Sequence, residues 1–202
     1  GISYRNDEPA GDASIQFTLN DGYATANAFV AVTSDLIYVT SIIEESTINL
    51  LNGVSLTEAF LISNQSVTFS PVFKFSNEIN NKTLIPIGII FLKPNTSFDV
   101  GNNNISINFN MTPMPISNLS KIGIGKLTIN NLMSPSLFFN ANAGTLALGG
   151  TNSLYQLNVS SGVTLQAEGI LQGNVTVQGN LNLGGDNTGN LTINGTLTFS
   201  PN

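Results

Sequence analysis

The residues with the most chemical meaning in this chain are asparagines. Ten stand in the triplet Asn-x-Ser/Thr with x other than proline: Asn64, Asn81, Asn95, Asn104, Asn110, Asn118, Asn158, Asn174, Asn190 and Asn194. That triplet is the acceptor for N-linked glycosylation and marks a solvent-facing surface of an exported protein. Chance supplies some of these triplets in a chain so rich in Asn, Ser and Thr, but their distribution is uneven, and none precedes Asn64. N-linked glycans are therefore expected, and no other cofactor is called for.

Other chemistries find little to work with. There is no histidine and no cysteine, which removes the usual general base near neutral pH, the commonest metal ligand, disulfides and thiolate sites. Glu44-Glu45 is the only adjacent pair of glutamates, and neighbours on a strand face opposite sides, whereas glycosidase-type catalysis needs two carboxylates held a set distance apart. Gly149-Gly150 and Gly184-Gly185 lack a following Lys-Ser/Thr and read as turns rather than phosphate cradles. No Asp-x-Asp loop offers calcium enough carboxylates. The chain is not expected to be an enzyme, and no catalytic, cofactor-binding or metal-ligating residue is assigned. Lys74, between Phe73 and Phe75, and Lys93, after Phe91-Leu92, sit in apolar company. An isopeptide crosslink is one reading of them; an outward lysine that discourages edge pairing is the preferred one.

Composition sets the frame for these residues. The 202 residues suit one large all-β domain or two small ones, and 41% apolar content excludes disorder. Only 9% of residues are charged, against about a quarter in ordinary domains, so Asn, Ser and Thr must form most of the wetted surface. With twelve carboxylates, few groups change protonation on folding, and stability is expected to vary little towards acid pH. A net charge of −6 with six cations argues against nucleic acid and against an anionic membrane surface. The longest apolar run, Leu84 to Leu92, is too short to span a membrane and contains Pro86. The start at Gly1 reads as a processed form.

The pattern along the chain is that of strands. Ile15, Phe17 and Leu19 alternate with polar residues, and Ala24, Ala26, Ala28, Val30 and Val32 continue the two-residue spacing. Ala13 to Thr33 therefore reads as a strand with one buried face that must find a sheet edge. Leu36–Val39 with Ile42-Ile43, Val67–Phe75, Leu84–Leu92 and Ile105–Phe109 read as further strands, and Ser55-Leu-Thr-Glu58 has capping-box spacing for one or two helical turns. Met111 to Ser117, with two prolines, is the best linker. The organisation is thus 1–33 leader and donor strand, 34–112 first part of the body, and 113–202 C-terminal part, with 34–202 as one continuous domain equally open. In the last part Asn158-Val-Ser, Asn174-Val-Thr and Asn190-Leu-Thr recur at sixteen residues, with Val175, Val177, Leu181 and Leu183 matching Leu191, Ile193, Leu197 and Phe199. Asn194-Gly195 reads as a two-residue hairpin. Successive hairpins in a β-sandwich are favoured, and a short C-terminal β-solenoid is the alternative.

In organisation, the whole chain resembles the subunits of archaeal surface threads, the glycosylated pili of acid-living archaea. The resemblance rests on a His- and Cys-free chain that opens with an alternating apolar segment and continues as a sequon-rich β body. It implies an immunoglobulin-like or pilin-like β-sandwich whose N-terminal strand completes the next subunit. Ile15, Phe17, Leu19, Ala24, Ala26, Ala28, Val30 and Val32 would be the donor residues, and identical subunits would be the partners in a head-to-tail, acid-stable extracellular filament engaged in adhesion. A contact of this kind cannot close on itself and propagates as a fibre. The competing readings are a solenoid or sandwich adhesin that recognises a surface or a sugar, and a surface-layer or viral coat protein.

Overall fold

The structure, a computed structural model, describes residues 2–5, 12–20, 25–33, 36–44, 53–64, 70–87, 93–109, 118–184 and 189–200, the first three of these segments as backbone only. At the N-terminus β1 (Ile2–Arg5), β2 (Asp12–Asn20) and β3 (Thr25–Thr33) form an antiparallel sheet in the order β1-β2-β3. The run from Ala13 to Thr33 is therefore two strands, not one. Its residues are one another's partners: Ala13 pairs with Val32, Ile15 with Val30, Phe17 with Ala28 and Leu19 with Ala26. Ala24 lies outside the described residues. The edge that β2 needs is supplied within the chain, by β1 on one side and β3 on the other.

The rest is a parallel β-solenoid, not a sandwich of hairpins. One sheet runs β4 (Leu36–Val39), β5 (Val72–Phe75), β7 (Thr96–Asp99), β9 (Asn118–Ile122), β11 (Met133–Ala141), β13 (Thr151–Val159), β15 (Gly169–Val177), and ends on β17 (Leu191–Asn194) and β18 (Leu197–Phe199), both paired to β15. The other runs β6 (Lys82–Leu84), β8 (Ile105–Asn108), β10 (Lys126–Asn130), β12 (Thr145–Gly149), β14 (Thr164–Ala167) and β16 (Asn180–Leu183). From β5 onward the chain alternates between the two sheets, and every pairing within them is parallel. Each visit to the opposite sheet is the crossover that a parallel pair requires. About five turns result. β7 pairs with β9 and β8 with β10, so both sheets join strands from before and after the expected linker, which itself lies outside the described residues.

Alternation now acquires a geometric meaning. In the larger sheet Ile37, Phe73, Phe98, Lys121, Ala141, Val159, Val177 and Phe199 stack coil upon coil, and beside them stack Thr96, Leu119, Phe139, Leu157, Val175 and Leu197. Facing them from the smaller sheet are Ile105, Leu127, Leu146, Leu165 and Leu181, then Ile107, Ile129, Leu148, Ala167 and Leu183. Until the last coil these rows are buried, with Lys121 among them. Full burial of each large apolar side chain is worth roughly 1.5–3 kcal/mol, so the interior rows hold the coils together.

The sixteen-residue repeat does not give the true register. Val175 stacks on Leu197 and Val177 on Phe199, while Leu181 and Leu183 belong to the other sheet. The bond from Thr196 to Asn174 spans 22 residues, and that from Asn158 to Asn140 spans 18. Two-periodic strands match themselves at any even shift, and the corners, which vary in length, set the real spacing. Asn194-Gly195 is accordingly a step between β17 and β18 on one side of β15, not a hairpin.

Helix α1 (Leu56–Asn64) is longer than the one or two turns expected. The capping box is present: the Ser55 N–H donates to Glu58 Oε2 at 2.8 Å and the Glu58 N–H to Ser55 Oγ at 3.2 Å. A second carboxylate oxygen, Glu44 Oε2, accepts the Thr57 N–H at 2.9 Å. The helix buries Leu56, Ala59, Phe60 and Ile62, and Phe60 meets Phe73 edge-on with centroids 5.0 Å apart. Two expected strands end early. Ile42 and Ile43 are exposed and irregular, and Leu84 closes β6, leaving Ile85 and Ile87 exposed. Residues 67–69 and 88–92 of the expected strands lie outside the described residues.

Candidate functional site

The ten sequons are placed mostly along the outside of the coil. Asn64, Asn81, Asn95, Asn104, Asn118, Asn174, Asn190 and Asn194 are exposed, Asn158 is half-buried, and Asn110 lies outside the described residues. Several are tied to each other across coils. Asn104 Nδ2 donates to Asn81 Oδ1 at 3.2 Å, Asn118 Nδ2 to Asn95 Oδ1 at 3.1 Å and Asn158 Nδ2 to Asn140 Oδ1 at 2.9 Å. Asn174 Oδ1 accepts the Thr196 N–H at 3.0 Å. These are rungs of an amide ladder, in which stacked equivalent positions satisfy one another. The triplet Asn-x-Ser/Thr is also the shortest outward–inward–outward strand pattern with a polar exterior. A ladder and an acceptor site therefore ask for the same residues, which gives the sequon excess a second physical origin. Nδ2, the atom to which a glycan would attach, is a ladder donor in Asn104, Asn118 and Asn158.

The carboxylates and lysines singled out by sequence are spread apart. Glu44 Oε2 holds the start of α1, while its Oε1 is buried without a partner among the described residues; Glu45 lies outside them. Lys74 is half-buried in β5 with Tyr38 and Asp99 as strand partners, its Nζ 5.8 Å from the Tyr38 ring centroid. Lys93 is half-buried, and its carbonyl accepts the Thr96 hydroxyl at 2.7 Å. Among the described residues no group of three or more His, Cys, Asp or Glu side chains could hold a metal ion, and no helix is long and apolar enough to cross a membrane.

Sequence reading missed the lysine that matters to the interior. Lys121 occupies an inward position between Phe98 and Ala141 and is fully buried. Its Nζ donates to the carbonyls of Gly123 (2.5 Å), Gly125 (2.7 Å) and Ala143 (2.5 Å). Three donors meet three acceptors, the full complement of an ammonium group. Burial pulls the Lys121 ammonium down from its ordinary 10.5 to about 8, with the Asp99 carboxylate opposing the fall. The inward parity of Lys121 in Leu119-Ser-Lys121 is the sequence signal, and it is readable only once Leu119 is known to face inward.

Two surface features remain. On the outside of the smaller sheet Lys126, Asn130, Gly149, Gln166 and Glu168 line a shallow groove of about 170 Å³. On the outside of the larger sheet Phe138 and Tyr155 stand exposed with ring centroids 4.8 Å apart.

Comparison of the chain with protein-family models, with curated proteins and with solved structures finds no match in any of the three.

Proposed function

We propose that this chain is a structural subunit of an extracellular filament, a β-solenoid that joins head to tail with copies of itself and carries N-linked glycans on some of its exposed sequons. One observation supports this most directly: among the described residues the interior rows end uncovered on the last coil. Val177 is 1% exposed while Phe199, stacked on it, is 62% exposed; Leu183 and Leu197 likewise follow the buried Ala167 and Val175. The backbones of β16, β17 and β18 end their sheets there, and an open apolar edge of this kind recruits another strand.

The occupant we assign is the N-terminal sheet of the next copy. Its apolar two-residue pattern suits such an edge, and as a three-stranded unit it offers the outer edges of β1 and β3. Donation thus passes from a single strand to a preformed sheet. Cover for three large side chains at roughly 1.5–3 kcal/mol each, with added backbone pairing, would offset a good part of the cost of association. Because the two surfaces differ, the contact repeats without closing. The low surface charge fits a fibre kept in solution by attached sugars.

The test is light scattering and negative-stain microscopy of the whole chain across a concentration series. Elongated polymers are expected, with Leu197→Asp plus Phe199→Asp, or removal of residues 1–33, giving folded monomers. A wild-type monomer at every concentration overturns the reading, and polymers formed without residues 1–33 remove the N-terminal sheet as occupant. A native mass of only 21.3 kDa would refute glycosylation.

A further inference from the structure

We propose that the outer face of the larger sheet around Phe138 and Tyr155 is a binding platform for a neutral glycan chain. This surface lies on the side of the solenoid, on the coils just before the terminal strands β17 and β18, and the proposal does not rest on polymerisation.

The platform begins with two aromatic rings that the fold leaves uncovered. Phe138 is 37% and Tyr155 53% exposed, and their planes are inclined at 54°. Phe138 pairs with Gln156 across β11 and β13, so the two rings belong to successive coils. On the next coil, the register between β13 and β15 slips between Ser153 and Gln156, and a glycine, Gly173, falls opposite the extra residue. A Cβ at Gly173 would lie 2.1 Å from the Leu154 carbonyl oxygen, and its φ of +135° suits glycine alone. The position above Tyr155 therefore has no side chain, which keeps the ring accessible from that side.

The polar groups beside the rings are amides with one free function each. The two N–H bonds of Gln156 Nε2 are shared among Leu157 O, Asn158 Oδ1 and Thr176 Oγ1, at 3.1–3.2 Å, which leaves Oε1 without a partner among the described residues. Its neighbour in register, Asn174, uses Oδ1 to accept the Thr196 N–H, which, when this sequon carries no glycan, leaves Nδ2 without a partner among the described residues. One coil thus presents an acceptor and the next a donor. A sugar hydroxyl between them could donate to Gln156 Oε1 and accept from Asn174 Nδ2, as a group that both donates and accepts requires.

The ligand class follows from what surrounds these groups. A pyranose ring presents C–H bonds on a face and hydroxyls at its rim, which matches aromatic faces flanked by amides. β11, β13 and β15 contain no charged residue, so a phosphorylated, sulfated or uronic ligand would find no counter-charge.

The experiment uses the whole chain made in a host that attaches no N-glycans, because Asn174 is itself a sequon. Electrophoresis is run through gels containing soluble mannan, starch, hydroxyethylcellulose or xyloglucan, with alginate as the anionic control. Retardation by at least one neutral polysaccharide is expected. Tyr155→Ala and Phe138→Ala should weaken it by about tenfold or more, and Tyr155→Phe should retain it. Asn174→Asp keeps the acceptor for Thr196 but removes the free donor and should also weaken it, which guards against a folding defect in the aromatic variants. No retardation in any neutral gel, equal retardation of Tyr155→Ala, or retardation by alginate alone would each overturn the proposal. A rise in solution mass that Tyr155→Ala abolishes would assign the platform to self-association and also overturn it.

Discussion

Lys121 offers the sharpest test of how this interior is built. In Lys121→Met a chain of similar length stays inside the coil, but the carbonyls of Gly123, Gly125 and Ala143 lose their donor. Gly125 O keeps the Thr145 N–H at 3.2 Å, so two carbonyls are left unpaired. An orphaned buried acceptor costs about 1–3 kcal/mol, and relief from desolvating the ammonium returns part of that sum. The expected net loss is about 2–4 kcal/mol. For a chain of this size that lowers the melting temperature by roughly 4–16 °C. Thermal unfolding followed by circular dichroism reads it directly.

The pH dependence separates the charge from the packing. The folded-state ammonium titrates near 8 and the unfolded one near 10.5, so between these values the unfolded chain holds the extra proton. Stability contributed by this group therefore rises with pH across that window and is flat below it. The gap in melting temperature between wild type and Lys121→Met should widen from pH 7.5 to 10. An equal or higher melting temperature for Lys121→Met at pH 7 would refute the carbonyl cage as a stabilising element. A gap that narrows across the window would refute the buried charge.

Two smaller perturbations probe how the coils are started and stacked. Ser55→Ala removes one half of the capping box at α1 and should cost about 0.5–2 kcal/mol in urea unfolding, with Ser55→Asp recovering most of it. Gly173→Ala drives a Cβ towards the Leu154 carbonyl in a conformation that L-residues avoid; a loss of about 1–3 kcal/mol is expected, whereas Gly162→Ala, with open space around it, should cost less.

What the sequence determined by itself was the alphabet of this protein. Alternation at two residues made it all-β; Ile105, Ile107 and Phe109 were readable as inward, and Ser55-x-x-Glu58 as a helix start, because parity and capping are local properties. The outward placement of most sequons followed from the same parity. What only the tertiary structure decided was which strand lies beside which. A strand of alternating residues pairs equally well in parallel or antiparallel fashion, so the choice between hairpins and coils rests on corner geometry dozens of residues apart. The same non-locality hid Lys121, whose partners are carbonyls at corners of two successive coils. It set Tyr155 beside a glycine of the next coil, and it placed Asn104 on Asn81. Parity was written residue by residue, whereas pairing emerged only when whole coils competed to bury their rows.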